Sequence, residues 1–167
     1  HTIAGPLLAP AAGYILLGNS VDMATHYDVL PAYVYAQIAL ANGEDLLQLI
    51  APGGQTVDQV AWGGESGWHV KSGVALQRIA LESAAGWQPA PRPWSARHGD
   101  LGSPGQPNPV APTPTPRPLP TVTAVPAPVD TPTPDPAATP PPALLLSELM
   151  INPKAVPDAE GEWIELY

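Results

Sequence analysis

The sequence predicts an all-β fold with short strands, interrupted by a long proline-rich linker. Two observations carry this prediction. Apolar runs of about four to eight residues recur along the chain, bounded by turn residues such as glycine, asparagine and proline. The 25 prolines and 15 glycines make up nearly a quarter of the 167 residues, so the foldable part is smaller than the length suggests.

Composition divides the chain into three segments. Residues 1–108 and 143–167 show strand and turn patterning, whereas residues 109–142 contain 14 prolines in 34 positions. Proline removes a backbone donor and fixes φ at about −65°, so neither a helix nor a central strand can form there. We expect an extended linker with fast amide exchange and a reach of roughly 100 Å at full extension.

In the first segment, residues 13–19 and 33–40 are runs of β-forming residues and predict two strands. Residues 46–50 and 56–62 flank the turn Pro52-Gly53-Gly54 and predict a hairpin.

Residues 74–80 predict a further strand. A helix over residues 76–85 is the alternative, because leucine, glutamine, arginine, alanine and glutamate are good helix formers. We favour the strand, since Gly73 and Gly86 bracket a piece too short for a stable isolated helix.

Residues 144–153 and 160–167 predict two strands around an acidic turn. The chain ends inside the second strand, whose backbone groups need a neighbour and whose apolar face needs a core. We therefore expect the chain to be a fragment of a longer protein.

These last residues also resemble a known family. An apolar strand ending in Glu148-Leu149-Met150 and Asn152-Pro153, an acidic turn, and then Glu162-Trp163-Ile164-Glu165-Leu166-Tyr167 is similar to the start of a bacterial lamin tail domain. The resemblance implies an immunoglobulin-like β-sandwich without a catalytic site of its own.

The first segment resembles the C-terminal two-thirds of the same family. The similarity covers residues 13–19, 42–50, 57–60, 73–78 and 102–108, together with the region of Trp87 and Trp94. The resemblance implies the end of one lamin-tail-like domain, a linker, and the beginning of a second. The first copy lacks its opening strands, and the strand that normally follows the Trp-Ile-Glu-Leu-Tyr motif is present in neither copy. Residues 22–31 form a loop that does not align.

The two partial copies are complementary, because one lacks the strands of which the other consists. An isolated pair of strands is at best marginally stable in water. We therefore expect residues 144–167 to fold back onto the first segment and complete its sandwich in the manner of a circular permutant. The predicted core residues are Ile15, Leu17, Leu47, Leu49, Val57, Val60, Leu146, Leu149, Trp163, Ile164 and Leu166.

Charge and composition exclude several classes of function. The net charge is −9, and the six basic residues are scattered, which argues against binding to nucleic acid. No apolar run approaches the ~20 residues that span a bilayer. The absence of cysteine excludes disulfides and thiolate metal sites within this sequence.

Catalytic and metal-binding motifs are weak in this sequence. Residues 64–68 superficially resemble a nucleophile elbow, but Trp68 replaces the required glycine, so a glycine-rich surface loop is the favoured interpretation. His1, His26, His69 and His98 lack any metal-ligand spacing and are interpreted as ordinary histidines. No nucleophile, base and orienting group stand at a recognisable spacing, so we predict neither an enzyme nor a cofactor.

Two residue groups offer alternatives. The acidic group Asp158, Glu160, Glu162 and Glu165 surrounds a turn, where carboxylates can hold Ca²⁺, but the calcium-loop pattern is absent. Glu162 and Glu165 would instead face solvent or accept hydrogen bonds from neighbouring backbone donors. The five tryptophans could form a sugar-stacking platform, although tryptophan in a small sandwich is more often core. They are Trp62, Trp68, Trp87, Trp94 and Trp163.

The sequence therefore predicts a non-catalytic binding or spacer module of a larger secreted or cell-surface bacterial protein. Its location is inferred from the family resemblance and the linker type. The expected partners are a protein or glycan ligand and neighbouring modules of the same polypeptide, without a membrane span in this sequence. The alternatives are an accessory module of an extracellular nuclease or phosphatase, and a carbohydrate-binding module.

Overall fold

The computed structural model describes residues 1–3, 7–8, 10, 13–79, 86–94, 99–109 and 144–167. The predicted linker over residues 109–142 lies outside these ranges, apart from Pro109. The same holds for residues 80–85, on which most of the alternative helix would fall.

Within the described ranges the chain consists mainly of short strands, which confirms the all-β prediction. Two one-turn helices, α1 (Met23–Tyr27) and α2 (Asp158–Gly161), and a 3₁₀ turn at Gly64–Ser66 connect them. The strands are β1 (Ile15–Gly18), β2 (Tyr33–Val34), β3 (Asp45–Ile50), β4 (Thr56–Trp62), β5 (Leu76–Arg78), β6 (Trp87–Pro89), β7 (Leu146–Met150) and β8 (Trp163–Leu166). None of the helices in the described part is long and apolar enough to cross a membrane.

Across the described residues, the strands form a six-stranded sheet in the order β2-β1-β8-β7-β5-β6 and a separate β3-β4 hairpin. The C-terminal strands lie in the middle of the larger sheet. β8 pairs antiparallel with β1, with Ile15 opposite Leu166, and β7 pairs antiparallel with β5, with Leu76 opposite Leu149. The fold-back predicted for residues 144–167 is therefore present in the structure.

The inner face of the large sheet packs against the β3-β4 hairpin. Side chains alternate between the two faces of a strand, so Ile164 and Leu166 point inward while Trp163 and Glu165 point outward. Of the predicted core residues, Leu47, Leu49 and Val57 are only half-buried. The buried ones are Ile15, Leu17, Val60, Leu146, Leu149, Trp163, Ile164 and Leu166.

The outer face of the large sheet is also covered. Met23 and Tyr27 of α1 pack there against Leu16, Met150 and Trp163, and all five side chains are buried. β1, β7 and β8 are buried on both faces, so they carry apolar residues on both, and the polar residues within β7 and β8, Ser147, Glu148 and Glu165, are buried as well.

Three local predictions were wrong. The strand expected over residues 33–40 is limited to Tyr33–Val34, and at Gln37 the backbone adopts a left-handed φ of 65°, which interrupts an extended strand. The loop expected at residues 22–31 contains α1, which is followed by its C-cap residue Asp28 in a left-handed conformation with φ 57°. The acidic turn before β8 contains α2.

Candidate functional site

A row of polar side chains crosses the outer face of the large sheet. Strand register places Gln88 opposite Gln77, Gln77 opposite Glu148, and Glu148 opposite Glu165. Gln77, Glu148 and Glu165 are completely buried. Two glutamates side by side in the interior of a sheet are unusual, because a buried carboxyl needs a hydrogen-bonding partner to offset its lost hydration.

Residues 102–109 cover this row and supply donors to it. The Ser103 backbone N–H and hydroxyl donate to Glu148 Oε2 at 2.9 and 3.0 Å, and the Gly105 backbone N–H donates to Glu165 Oε2 at 2.5 Å. Gln77 Nε2 donates to the Pro109 carbonyl at 2.6 Å. The two carboxyls thus hold a surface loop against the sheet.

Asn108 closes the far end of this loop. Its Nδ2 donates to the carbonyls of Arg78 and Ser147, at 2.9 and 3.0 Å, and its Oδ1 lies 2.9 Å from the Ser103 hydroxyl oxygen. The loop is therefore bonded to strands from both ends of the sequence.

A bulge in β7 turns Glu148 toward the loop. The register with β8 shifts between Leu146 and Glu148, so Ser147 is an extra residue. Because of this insertion, Leu146 and Leu149 both face the inner core although they are three positions apart, and Glu148 points outward. A strict two-residue alternation would place only one of the two leucines in that core.

Burial changes the acidity of the pair. It raises the pKa of Glu148 to about 7 against the lowering effect of the Ser103 hydrogen bonds. It raises the pKa of Glu165 to about 8, where the Gly105 hydrogen bond lowers the pKa and the Glu148 charge raises it. Near neutral pH the pair therefore holds protons that exposed glutamates would have lost.

Neighbouring carboxyls with raised pKa values are also the equipment of acid–base catalysis. A substrate must reach such groups, however, and here both glutamates are 0% exposed beneath the loop. The geometry therefore suits a structural connection between the loop and the C-terminal strands better than a reaction centre.

A second polar connection joins the two sheets. The Arg78 guanidinium forms an ion pair with Asp58 of β4 at 2.6 Å and lies 4.9 Å from the centre of the Trp87 ring. Arg78 Nε donates to the Leu146 carbonyl at 2.8 Å, and Asp58 accepts from the Leu146 N–H at 2.8 Å. This pair fixes the hairpin to the first residue of β7.

A third connection anchors the segment after β7. Asp100 Oδ2 accepts from the Tyr27 hydroxyl and from the backbone N–H groups of Lys154 and Ala155, at 3.1, 3.0 and 3.3 Å. Burial, followed by the charge of Asp100, raises the pKa of Tyr27 above its ordinary value. Tyr27 therefore remains a neutral donor.

The acidic group around the turn is not brought together as a calcium site. Glu165 faces Gly105, whereas Glu162 accepts from the Leu40 N–H at 3.3 Å and Asp158 accepts from Asn42 Nδ2 at 2.7 Å. Burial raises the pKa of Glu162 to about 7. Over the described ranges, no group of three or more histidine or acidic side chains is arranged to hold a metal ion. The glutamates accept backbone hydrogen bonds, as one of the two expectations had it, and do not face solvent.

The histidines lie apart where their side chains are described. His1 forms a hydrogen bond of 2.9 Å with the Tyr33 hydroxyl, and His69 is exposed beside the half-buried Trp68. The side chains of His26 and His98 lie outside the described part. Residues 64–66 form an exposed 3₁₀ turn, in agreement with the predicted surface loop.

Three of the five tryptophans belong to the core. Trp62, Trp87 and Trp163 are at most 3% exposed, whereas Trp68 and Trp94 are half-buried. The expectation that the tryptophans belong to the core thus holds for three of the five, whereas the partners of the carboxyls, Ser103, Ser147 and Gln77, were not predicted. The signal that could have found the site is an acidic residue inside each of two apolar strands, Glu148 and Glu165.

Comparison with known proteins gives no match to a protein-family model, to a curated protein or to a solved structure.

Proposed function

We propose that this chain is a non-catalytic, lamin-tail-like module with an immunoglobulin-like sandwich, serving as a binding or spacing unit of a larger bacterial protein. The observation that supports the proposal is that the side chains capable of acid–base or nucleophilic chemistry are engaged in holding the fold together. Glu148, Glu165, Ser103 and Ser147 are all buried and form hydrogen bonds that close the fold. Side chains engaged in this way stabilise a scaffold.

The packing of the resembling residues supports the lamin-tail-like interpretation. The Glu-Leu-Met and Trp-Ile-Glu-Leu-Tyr strands, from the C-terminal end, lie beneath residues 102–108, from the end of the first segment. They also pair with β1 and β5, which belong to the first segment. Pieces that resemble opposite ends of one domain thus complete one another.

A position outside the cell or on its surface follows from the resemblance and from the proline-rich segment, which suits a stalk between modules. The net charge of −9 argues against nucleic acid as a partner. Arg78, one of the six basic residues, is buried in its ion pair.

A second candidate function is an accessory module of an extracellular nuclease or phosphatase. It differs in the parent protein rather than in this chain, so the full open reading frame distinguishes the two. A carbohydrate-binding role is less favoured, because three of the five tryptophans are buried in the core, where they cannot stack on a sugar. Binding on a glycan array would reinstate it.

The experiment is an activity assay of the purified chain on DNA, phosphomonoesters and aryl glycosides, beside Glu148→Gln, Glu165→Gln and His69→Ala variants. We expect no turnover above that of a mock purification. Circular dichroism establishes that each variant is folded. Turnover by the parent chain that disappears in a folded variant would refute the non-catalytic proposal.

A further inference from the structure

An apolar groove of about 810 Å³ separates the β3 side of the hairpin from the inner face of the large sheet. In the described part, the hairpin contributes two strands against six in the larger sheet, so it covers only a portion of that face. On the β4 side the sheets are joined by Asp58 and Arg78. On the β3 side, Leu47 and Leu49 pack against the core while only half-buried, and residues 1–3 also line the groove.

The groove runs along the edge of β3 rather than only beneath it. Residues 47–50 of this strand all line it, although consecutive side chains point to opposite faces. The floor is formed by apolar side chains of the large sheet, namely Leu17, Leu146, Ile164 and Leu166. Among the described residues β3 pairs with β4 alone, so its other edge presents backbone donors and acceptors to the groove.

The edge of β3 carries few of the devices that normally prevent pairing with another strand, and the bulge in its pairing with β4 lies at its far end, between Leu49 and Ile50. Its six residues contain no proline and no lysine, and the single charge, Asp45, stands at the start. Leu46 and Ile50 are 51% and 56% exposed, and Leu47 and Leu49 are only half-buried. Such an edge readily accepts an added strand.

We infer that this groove binds an extended peptide segment of another polypeptide, which adds a strand to the edge of β3. Alternate apolar side chains of the peptide would enter the groove, and the backbone would pair with β3 over about six residues, a length of roughly 20 Å. The inference rests on the proposed binding role and specifies the class of its ligand.

Charge decides the kind of partner. Residues 40–70 contain no lysine or arginine, and of their four acidic residues Asp58 is paired with Arg78, whereas Glu44 and Asp45 are exposed at the start of β3. A second copy of the chain would bring the same acidic hairpin and the same net charge of −9. A strand flanked by basic residues is therefore the favoured occupant.

The test uses two synthetic peptides in which valine and threonine alternate over five positions, one with lysine and one with glutamate at both ends. Fluorescence anisotropy measures their binding to the full chain at low and at physiological salt. We expect saturable binding of the lysine peptide, roughly five- to tenfold tighter than that of the glutamate peptide, and weaker at higher salt.

Disulfide trapping locates the peptide. The chain contains no cysteine, so Gln48→Cys places a single thiol on the edge of β3, and Glu65→Cys places one on the exposed 3₁₀ turn as a matched control. A lysine peptide carrying a central cysteine should cross-link to the first variant at least several times faster than to the second.

The inference would be overturned if neither peptide bound, or if the two cysteine variants cross-linked to the peptide equally fast. A concentration-dependent dimer joined through Gln48→Cys would overturn it in favour of a second copy. None of these results bears on the activity assay, so the non-catalytic proposal and the peptide site fail separately.

Discussion

Replacing Glu165 by glutamine should make the stability of this protein markedly less dependent on pH. The folded-state pKa of about 8 lies above the ordinary value of 4.5, because burial disfavours the charged carboxylate. A folded acid with a raised pKa holds its proton more firmly than the unfolded chain does. Its contribution to stability is therefore complete below pH 4.5 and is lost as the pH rises toward 8.

The size of the effect follows from the shift. Each pKa unit corresponds to about 1.4 kcal/mol, so ionisation of Glu165 should cost about 4 kcal/mol between pH 5 and pH 9. Glutamine is neutral at every pH and keeps an oxygen that can accept from the Gly105 N–H. At pH 5 the variant should match the parent chain, and at pH 9 it should be the more stable by about 2–4 kcal/mol.

Urea unfolding at pH 5, 7 and 9, followed by tryptophan fluorescence, measures the difference. Other carboxyls with raised pKa values, Glu148 and Glu162, are present in both proteins, so the difference reports the loss of Glu165 together with its coupling to Glu148. Glu65→Gln on the exposed 3₁₀ turn controls for the loss of one charge. Parallel stability profiles of the parent and Glu165→Gln across this range would refute the reasoning.

Three further outcomes test the packing. Deleting residues 143–167 removes β7 and β8 from the middle of the large sheet, together with buried side chains that stabilise the fold by roughly 1.5–3 kcal/mol each. The remaining chain should therefore lack a cooperative thermal transition. An unchanged midpoint would contradict the packing of residues 144–167 against the first segment. Arg78→Met should lower the free energy of unfolding in urea by about 3–5 kcal/mol, because it leaves Asp58 buried without its ion-pair partner. The double variant Asp58→Asn/Arg78→Met should lose less. An equal or larger loss in the double variant would argue against an unpaired buried charge as the cause. Gly102→Ala should cost about 1–3 kcal/mol, because the new Cβ would lie 2.9 Å from the Trp94 ring, whereas Gly43→Ala, with open space around it, serves as the control.

Sequence patterning located most strands because their apolar runs are bounded by turn residues. The hairpin of β3 and β4 and the central strands β7 and β8 lie close to their predicted ranges. The sequence could not show that the strand predicted over residues 33–40 is shorter, because the left-handed backbone conformation occurs at Gln37 rather than at a glycine. Helix α1 has five residues, too few to produce a recognisable helical period.

The carboxyl site was beyond reach for a different reason. An acidic residue in a strand is ordinarily solvent-facing, and the sequence left Glu165 either facing solvent or accepting backbone hydrogen bonds. Their burial depends on a loop some 40 to 60 positions away, whose N–H groups meet them only after the two ends of the chain have assembled. An acidic residue inside an apolar strand marks each position as unusual, but the local sequence does not identify its hydrogen-bond donors.

The strand order explains why the connections to residues 144–167 are polar. Without β7 and β8, the pairs β1-β2 and β5-β6 would share no strand within the described sheet, so this sheet forms only when distant segments meet. The contacts from Glu165 to Gly105, Leu146 to Asp58 and Lys154 to Asp100 span 60, 88 and 54 positions. Apolar surfaces tolerate several registers, whereas a buried carboxyl group that loses its hydrogen-bond donors destabilises the fold. We therefore expect the buried acids to fix the register of the central strands more than they raise the stability of the fold.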